Sequence, residues 1–133
     1  DSLEELAKLA NLIVTTTPAT SPMLKAEHIK PGTHITAMGS DTREKQELDA
    51  KILAKADLLV ADSVEQCQQR GEIFHALTSG IIAQGDVLEL GDVIAHSAGR
   101  SNDNQITVAD LTGVAVQDIK IAEAVYRAHG RGQ

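Results

Sequence analysis

The strongest constraint on the fold of this chain is an alternation of short apolar runs with stretches of helical periodicity. Four apolar runs are each followed by turn-forming residues. Because they are too short to be buried helices, each predicts a buried β-strand. Strands that alternate with helices form a mostly parallel sheet with helices on both faces. The predicted strands are 12–14, 34–38, 58–61 and 105–111, and the predicted fold class is α/β.

The stretches between these runs carry helix signals. Ser2 and Glu5 have the spacing of a capping box, and Asp49 is placed to cap a second helix that extends to about residue 56. Apolar residues at helical spacing predict one continuous helix over 64–77. Further helices are predicted at 90–95 and from the turn at 112–113 to about residue 129.

Composition excludes several classes of function. The 133 residues carry a formal charge of −7, with one Tyr, one Phe and no Trp, which argues against a nucleic-acid binder. No apolar run approaches the ~20 residues that a membrane span needs. Cys67 is the single cysteine, so we expect a reducing, cytoplasmic setting. The histidines have no ligand spacing, and we expect no metal site.

Small and polar residues follow each predicted strand. The carboxyl ends of parallel strands meet at one edge of the sheet, where ligands of such folds bind. Turns are polar in any protein, so this pattern alone does not decide between a site and ordinary turns. The residues concerned are 15–17, 39–41, 62–63 and 110–113.

Two alternatives stand for each candidate side chain. Gly39 permits a close approach of backbone to a ligand, and Asp41 is a candidate general acid or base, but Ser40 and Asp41 also suit a turn cap, which the spacing alone favours. Lys45 is placed either to neutralise an anionic ligand or to lie in solvent. Thr112 is a candidate ligand contact at a helix start or a plain N-cap.

The chain contains no Gly-x-Gly-x-x-Gly sequence after a strand. That sequence binds the pyrophosphate of dinucleotides in Rossmann folds. If this is a dinucleotide-binding fold, we expect the phosphate-binding half of it to lie outside these 133 residues.

Several sequence strings resemble those of the ornithine cyclodeaminase and mu-crystallin family. Residues 13–19 are similar to its "IVTTTPA" segment, and residues 30–41 are similar to its "KPGTHINAxGAD" block. The resemblance continues in order through 45–49, 71–77, 89–94 and 106–118, and covers only the carboxyl-terminal portion of the family. The Gly39-Ser40-Asp41 sequence with Arg43-Glu44 looks closest to the ectoine-utilisation branch.

The resemblance implies a function and assigns site residues. Members bind NAD or NADP and act on amino acids or cyclic imines, so it implies hydride transfer at the substrate α-carbon with Asp41 as acid/base. Thr112 falls on a substrate contact. Leu111 replaces a serine of the cyclodeaminase, so the resemblance does not imply a polar side-chain contact there. The implied cofactor contacts are Thr15, Thr17, Met38, Gly39, Ser40, Lys45 and Leu111.

The resemblance also implies a domain division. Residues 1–112 are expected to be the carboxyl-terminal half of a Rossmann domain. Residues 113–133 are expected to form a helix and tail that lead back to a substrate and dimerisation domain. We expect a homo-oligomeric enzyme with a small-molecule substrate. The alternative is a non-catalytic fragment that folds or oligomerises without binding dinucleotide.

Overall fold

Strands and helices alternate along residues 2–130, which are the residues that the computed structural model describes. The predicted α/β class is confirmed. The strands are β1 (Leu12–Thr15), β2 (Thr20–Leu24), β3 (His34–Ala37), β4 (Gln46–Leu48), β5 (Leu58–Ala61), β6 (Val87–Glu89) and β7 (Thr107–Asp110). The α-helices are α1 (Leu3–Leu9), α2 (Ala50–Lys55), α3 (Val64–Cys67), α4 (Glu72–Thr78), α5 (Leu90–Ala95) and α6 (Ala115–Gly130).

Five of the strands form one parallel sheet in the order β1-β3-β7-β5-β6. The last strand in the chain, β7, therefore lies in the middle, between β3 and β5. Thr15, Ala37, Asp110, Ala61 and Glu89 are in register across the sheet, and each is the last residue of its strand. The segments that follow the strands consequently begin at one common edge.

A second, two-stranded parallel sheet pairs β2 with β4. No sequence pattern predicted this sheet, because β2 contains Pro22 and β4 is only three residues long. Proline removes a backbone donor and is confined to sheet edges, so β2 carries no ordinary strand signal. This small sheet brings β4 against α4, close to the carboxyl edge of the main sheet.

The prediction of one helix over 64–77 is wrong. The segment forms α3 and α4, separated by Gly71, whose φ is +91°. A Cβ at this position would lie 2.6 Å from both Asp110 Oδ2 and the Thr112 methyl group. The apolar periodicity suggested continuity because Cys67 and Ile73, on opposite sides of the break, are both buried in the same core.

The hydrophobic core covers one face of the main sheet. Ile35 of β3 and Val108 of β7 are fully buried there, beneath Ile52 of α2 and Ile73 of α4. On the opposite face α5 packs against β5 and β6, whereas β1 presents exposed apolar side chains. The core is therefore built between the sheet and the helices of one layer.

The last helix, α6, makes few contacts with the rest of the described chain. Its apolar side chains Val116, Ile119, Ile121 and Val125 are all exposed. Among residues 2–130, no helix is long and apolar enough to cross a membrane.

Truncating the core should measure how much stability this packing contributes. Ile35→Ala removes a fully buried side chain from a central strand, so we expect the free energy of unfolding to fall by about 2–5 kcal/mol. Ile119→Ala on exposed α6 is the matched control and should stay within about 0.5 kcal/mol. Urea unfolding curves compare the two variants, and equal losses would contradict this description of the core.

Candidate functional site at the carboxyl edge of the sheet

The predicted polar segments meet at the carboxyl edge of the main sheet. Residues 15–17 lie at the end of β1 and just beyond it, and residues 39–41 follow β3. The amides of Met38 and Gly39 both donate to the Thr15 carbonyl, at 2.9 and 3.1 Å. On the other side of β3, the Leu111 amide donates to the Ala37 carbonyl at 2.8 Å.

A glutamate that the sequence analysis did not single out joins the first two segments. The carboxylate of Glu47 is fully buried; its Oε1 accepts from the Thr17 amide at 2.6 Å and its Oε2 accepts from the Gly39 amide at 3.0 Å. A Cβ at Gly39 would collide with this carboxylate and with the Thr17 carbonyl. Close packing inside the protein is thus one reason for a glycine at position 39.

A second buried glutamate holds the first. Glu72, at the start of α4, accepts from the Glu47 amide at 2.7 Å and from the Leu48 amide at 3.1 Å. Burial raises the pKa of Glu72 to about 7, and the nearby Glu47 adds to this effect. The backbone of β4 is therefore fixed to the first turn of α4.

A third buried acid, Asp110, connects α4 to the main sheet. Its Oδ2 accepts from the Ile73 amide at 2.8 Å, while Oδ1 is buried with no hydrogen-bond partner among the described residues. Burial raises the pKa of Asp110 well above its ordinary value, and the nearby Glu72 adds to this effect. Through the three buried acids, Glu47, Glu72 and Asp110, the segments after β1 and β3 are connected by way of β4 and α4 to β7.

Sequence reasoning missed Glu47 and Glu72, although both lie in strings that carried the family resemblance. A usable signal was present at each position. Glu47 lies two residues before a helix N-cap in a stretch that was given no secondary structure, and Glu72 lies between a glycine and the apolar Ile73. An acid beside residues destined for the core is a candidate for a buried hydrogen-bond acceptor.

Asp41 and Lys45 form an ion pair across a tight turn. Lys45 Nζ donates to Asp41 Oδ1 at 2.6 Å, although the segment between the two residues is not helical. This hydrogen bond lowers the pKa of Asp41, whose side chain is exposed. Ser40 Oγ and a His75 ring nitrogen both contact the Lys45 carbonyl oxygen, which closes the turn.

A polar cavity of about 600 Å³ opens beside Asp41. One wall is the turn that carries Asp41 and Arg43, and the other is α3 and the residues after it, including Gln66 and Arg70. The Arg43 guanidinium lies 4.9 Å from the centre of the Phe74 ring, which restrains it by a cation–π contact. Within the described part of the chain, the buried Nε of Arg70 has no hydrogen-bond partner.

Thr112 is held by two side chains from the neighbouring strand end. Its hydroxyl donates to Asp62 Oδ1 at 3.2 Å and accepts from Gln66 Nε2 at 2.7 Å. Asp62 Oδ2 also accepts from the Gly113 amide at 2.8 Å. Because Gln66 lines the cavity as well, it connects Thr112 to the wall opposite Asp41.

The other predicted contacts occupy different surroundings, and their roles stay predictions. Met38 is exposed, Leu111 is half-buried, and the hydroxyl of Thr15 is buried without a hydrogen-bond partner in residues 2–130. Burial raises the pKa of the Cys67 thiol far above its ordinary value. Across the described residues, no group of three or more His, Cys, Asp or Glu side chains is arranged to hold a metal ion.

A parallel sheet flanked by helices, with a polar cavity at its carboxyl edge, defines this chain as an α/β protein of the Rossmann-like type. The family model of the ornithine cyclodeaminase/mu-crystallin family matches residues 1–132. The chain belongs to this family. An uncharacterized cyclodeaminase of Sinorhizobium fredii is 48% identical to it over 120 residues, which are 89% of this chain and 36% of that relative.

Solved structures agree with this assignment. An archaeal alanine dehydrogenase dimer with bound NAD matches with a TM-score of 0.91 and 43% identity, over 100% of this chain and 42% of that one. The iminosuccinate reductase of Paracoccus denitrificans in complex with NAD⁺ also matches with a TM-score of 0.91, at 41% identity, over 99% of this chain and 41% of that one. The chain spans well under half the length of these relatives.

The buried Glu72 should give the protein a specific pH dependence. Its folded pKa of about 7 lies above the ordinary value of 4.5, so the stability that its proton contributes is complete below pH 4.5 and is lost as the pH rises through about 7. In Glu72→Gln we expect the free energy of unfolding to fall less over this range than in the wild type.

Urea unfolding at several pH values between about 4.5 and 7 measures this slope for each protein. Asp103→Asn is the control, because the Asp103 side chain lies in an exposed loop, and it should keep the wild-type slope. A Glu72→Gln slope equal to that of the wild type would contradict the assignment of the titration to Glu72.

Proposed function

We propose that this chain is the carboxyl-terminal part of an NAD(P)-dependent enzyme that transfers a hydride between a nicotinamide and the α-carbon of an amino acid or imine. The observation that carries the proposal is the grouping of Thr17, Gly39, Asp41 and Lys45 at one sheet edge beside a polar cavity. Similarity in sequence and fold to an alanine dehydrogenase and an iminosuccinate reductase, both solved with NAD bound, supports it.

The residues at this edge fit a dinucleotide. Lys45 offers a positive charge, Met38 an exposed apolar side chain, and Thr17 a half-buried hydroxyl. Thr15, Gly39, Ser40 and Leu111 are proposed as further contacts by family resemblance. A bound nicotinamide cofactor supplies the acceptor or donor of the hydride.

Asp41 is proposed to move the proton that accompanies hydride transfer. The Lys45 ammonium favours the ionised form of Asp41, so at neutral pH this carboxylate is ready to accept a proton. Lys45 binds Oδ1, which leaves Oδ2 as the oxygen for a proton from the substrate nitrogen or from water. Asp41 thus acts as the base when an amine is oxidised to an imine.

The chemistry of the cavity suits a small zwitterion. Arg43 and Arg70 contribute positive charge, while Asp41, Glu44 and Glu65 contribute negative charge. An amino acid carries both signs in one small molecule, and we place Thr112 near it as a substrate contact. The narrower hypothesis, an enzyme of ectoine utilisation, rests on Arg43-Glu44 in the sequence.

The exposed apolar side chains of α6 support the proposed domain division at 112/113. We propose that α6 packs against a substrate and dimerisation domain of the full-length protein, which would cover Val116, Ile119 and Val125. The archaeal alanine dehydrogenase that matches this chain is a dimer, and we propose a homo-oligomer here as well. A cytoplasmic location is part of the same proposal.

The proton-transfer role predicts the effect of one substitution. In the full-length protein, Asp41→Asn removes the proton acceptor but keeps an oxygen that accepts from Lys45, so we expect kcat to fall about 100-fold or more with little change in NADH affinity. Steady-state kinetics and fluorescence titration with NADH measure the two quantities. Asp103→Asn, in an exposed loop, is the control. An unchanged kcat in Asp41→Asn would remove Asp41 from the mechanism.

The absence of a Gly-x-Gly-x-x-Gly sequence from these 133 residues predicts how weakly they bind NADH on their own. Because the pyrophosphate of a dinucleotide binds the glycine-rich turn and the helix after it, we expect calorimetry to detect NADH binding to the full-length protein and little or none to this chain. Micromolar affinity of the isolated chain would contradict this prediction. Failure of the full-length protein to bind NADH would favour the alternative of a non-catalytic protein.

A further inference from the structure

We propose that Glu47 is a positioning residue of the dinucleotide site: its carboxylate fixes the segments after β1 and β3 at the separation that cofactor binding requires. This inference rests on the proposed function, because it gives Glu47 a role in the same site. Glu47 is fully buried and does not line the cavity beside Asp41. It therefore acts through other residues and does not touch substrate.

The two oxygens of Glu47 bind two different segments. Oε1 accepts from the Thr17 amide, two residues beyond the end of β1, and Oε2 accepts from the Gly39 amide, two residues beyond the end of β3. The strands themselves are paired only as far as Thr15 and Ala37. Beyond that point the Met38 and Gly39 amides still donate to the Thr15 carbonyl, and Glu47 adds a bidentate acceptor that shares the Gly39 amide and also holds the Thr17 amide.

The same contacts determine which groups remain for a ligand. Backbone N–H groups at the carboxyl edge of a parallel sheet are the usual donors to bound phosphates and riboses. Here Glu47 already accepts from the amides of Thr17 and Gly39. A dinucleotide at this edge therefore contacts other groups of these segments, whose positions depend on where Glu47 holds the backbone.

Glu47 is itself fixed in place by the element behind it. Its amide donates to Glu72 at the first turn of α4, and the Leu48 amide donates to the same carboxylate. A Cβ at Gly39 would enter the space that the Glu47 carboxyl group occupies, which shows how closely the parts are packed. Small changes at Glu47 should consequently move residues 39–41, which include the proton acceptor Asp41.

Glu47→Gln tests the proposal in the full-length protein. The amide has nearly the same shape but presents an NH₂ donor to one of the two backbone donors, so one contact is lost. We expect the Kd and KM for NADH to rise about tenfold, because the segments after β1 and β3 would then occupy the binding arrangement only about a tenth of the time. The KM for the amino-acid or imine substrate should change less than the KM for NADH.

The matched control is Glu27→Gln, at an exposed position, which should leave both KM values unchanged. Glu47→Asp retains the carboxyl group but is one methylene too short to reach both amides, so it should also weaken NADH binding. A folded Glu47→Gln protein whose NADH affinity and kcat match the wild type would overturn the inference. If the wild type itself fails to bind NADH, the proposed function fails instead.

A measurement on the wild type covers the case in which neither variant folds. Amide hydrogen exchange in protein labelled with ¹⁵N-threonine reports the Thr17 N–H, for which Glu47 is the acceptor. Without cofactor, we expect this amide to exchange at least about tenfold more slowly than that of Thr42, in the exposed turn of the same sample. Equal exchange rates would overturn the inference, because Glu47 would then not hold the segment after β1.

Discussion

The carboxyl edge of this protein depends on hydrogen bonds from backbone amides to three buried carboxyl groups. Asp110 accepts from the first turn of α4, Glu72 accepts from β4, and Glu47 accepts from the segments that follow β1 and β3. Each acid accepts hydrogen bonds from backbone amides near the end of a strand or the start of a helix. Without the acid, these amides would have no such partner. Removing one acid would leave such donors unsatisfied in the interior, which costs more than an ordinary hydrogen bond contributes.

Burial or exposure to water sets the pKa values of the acids at this edge. The pKa values of Glu72 and Asp110 rise because water is excluded, whereas the exposed Asp41 keeps a lowered pKa through Lys45. One edge thus combines the buried carboxyl groups of Glu72 and Asp110, which favour the neutral form, with the exposed carboxylate of Asp41, which favours the ionised form and lies beside a polar cavity. We propose that only the latter takes part in proton transfer.

Local patterns in the sequence predicted those parts of the fold that local physics controls. The central strands are short apolar runs that end at polar residues, and α5 was predicted with its observed bounds. The break between α3 and α4 was missed because the groups that pack closely against Gly71, the Asp110 carboxylate and the Thr112 methyl group, are distant in sequence. The pairing of β2 with β4 was missed for a similar reason, since neither segment has the composition of a strand on its own.

The sequence by itself determined the α/β class, the parallel sheet and the position of Asp41 just after a strand, because periodicity and close spacing are local properties. The family strings also identified the relatives of this chain. Only the tertiary structure revealed Glu47 as the link between the segments after β1 and β3, because its partners lie 30 and 8 residues away along the chain. The role of a buried carboxylate depends on which backbone amides the fold brings to it. Those amides belong to other segments, so the sequence pattern around the carboxylate does not predict them.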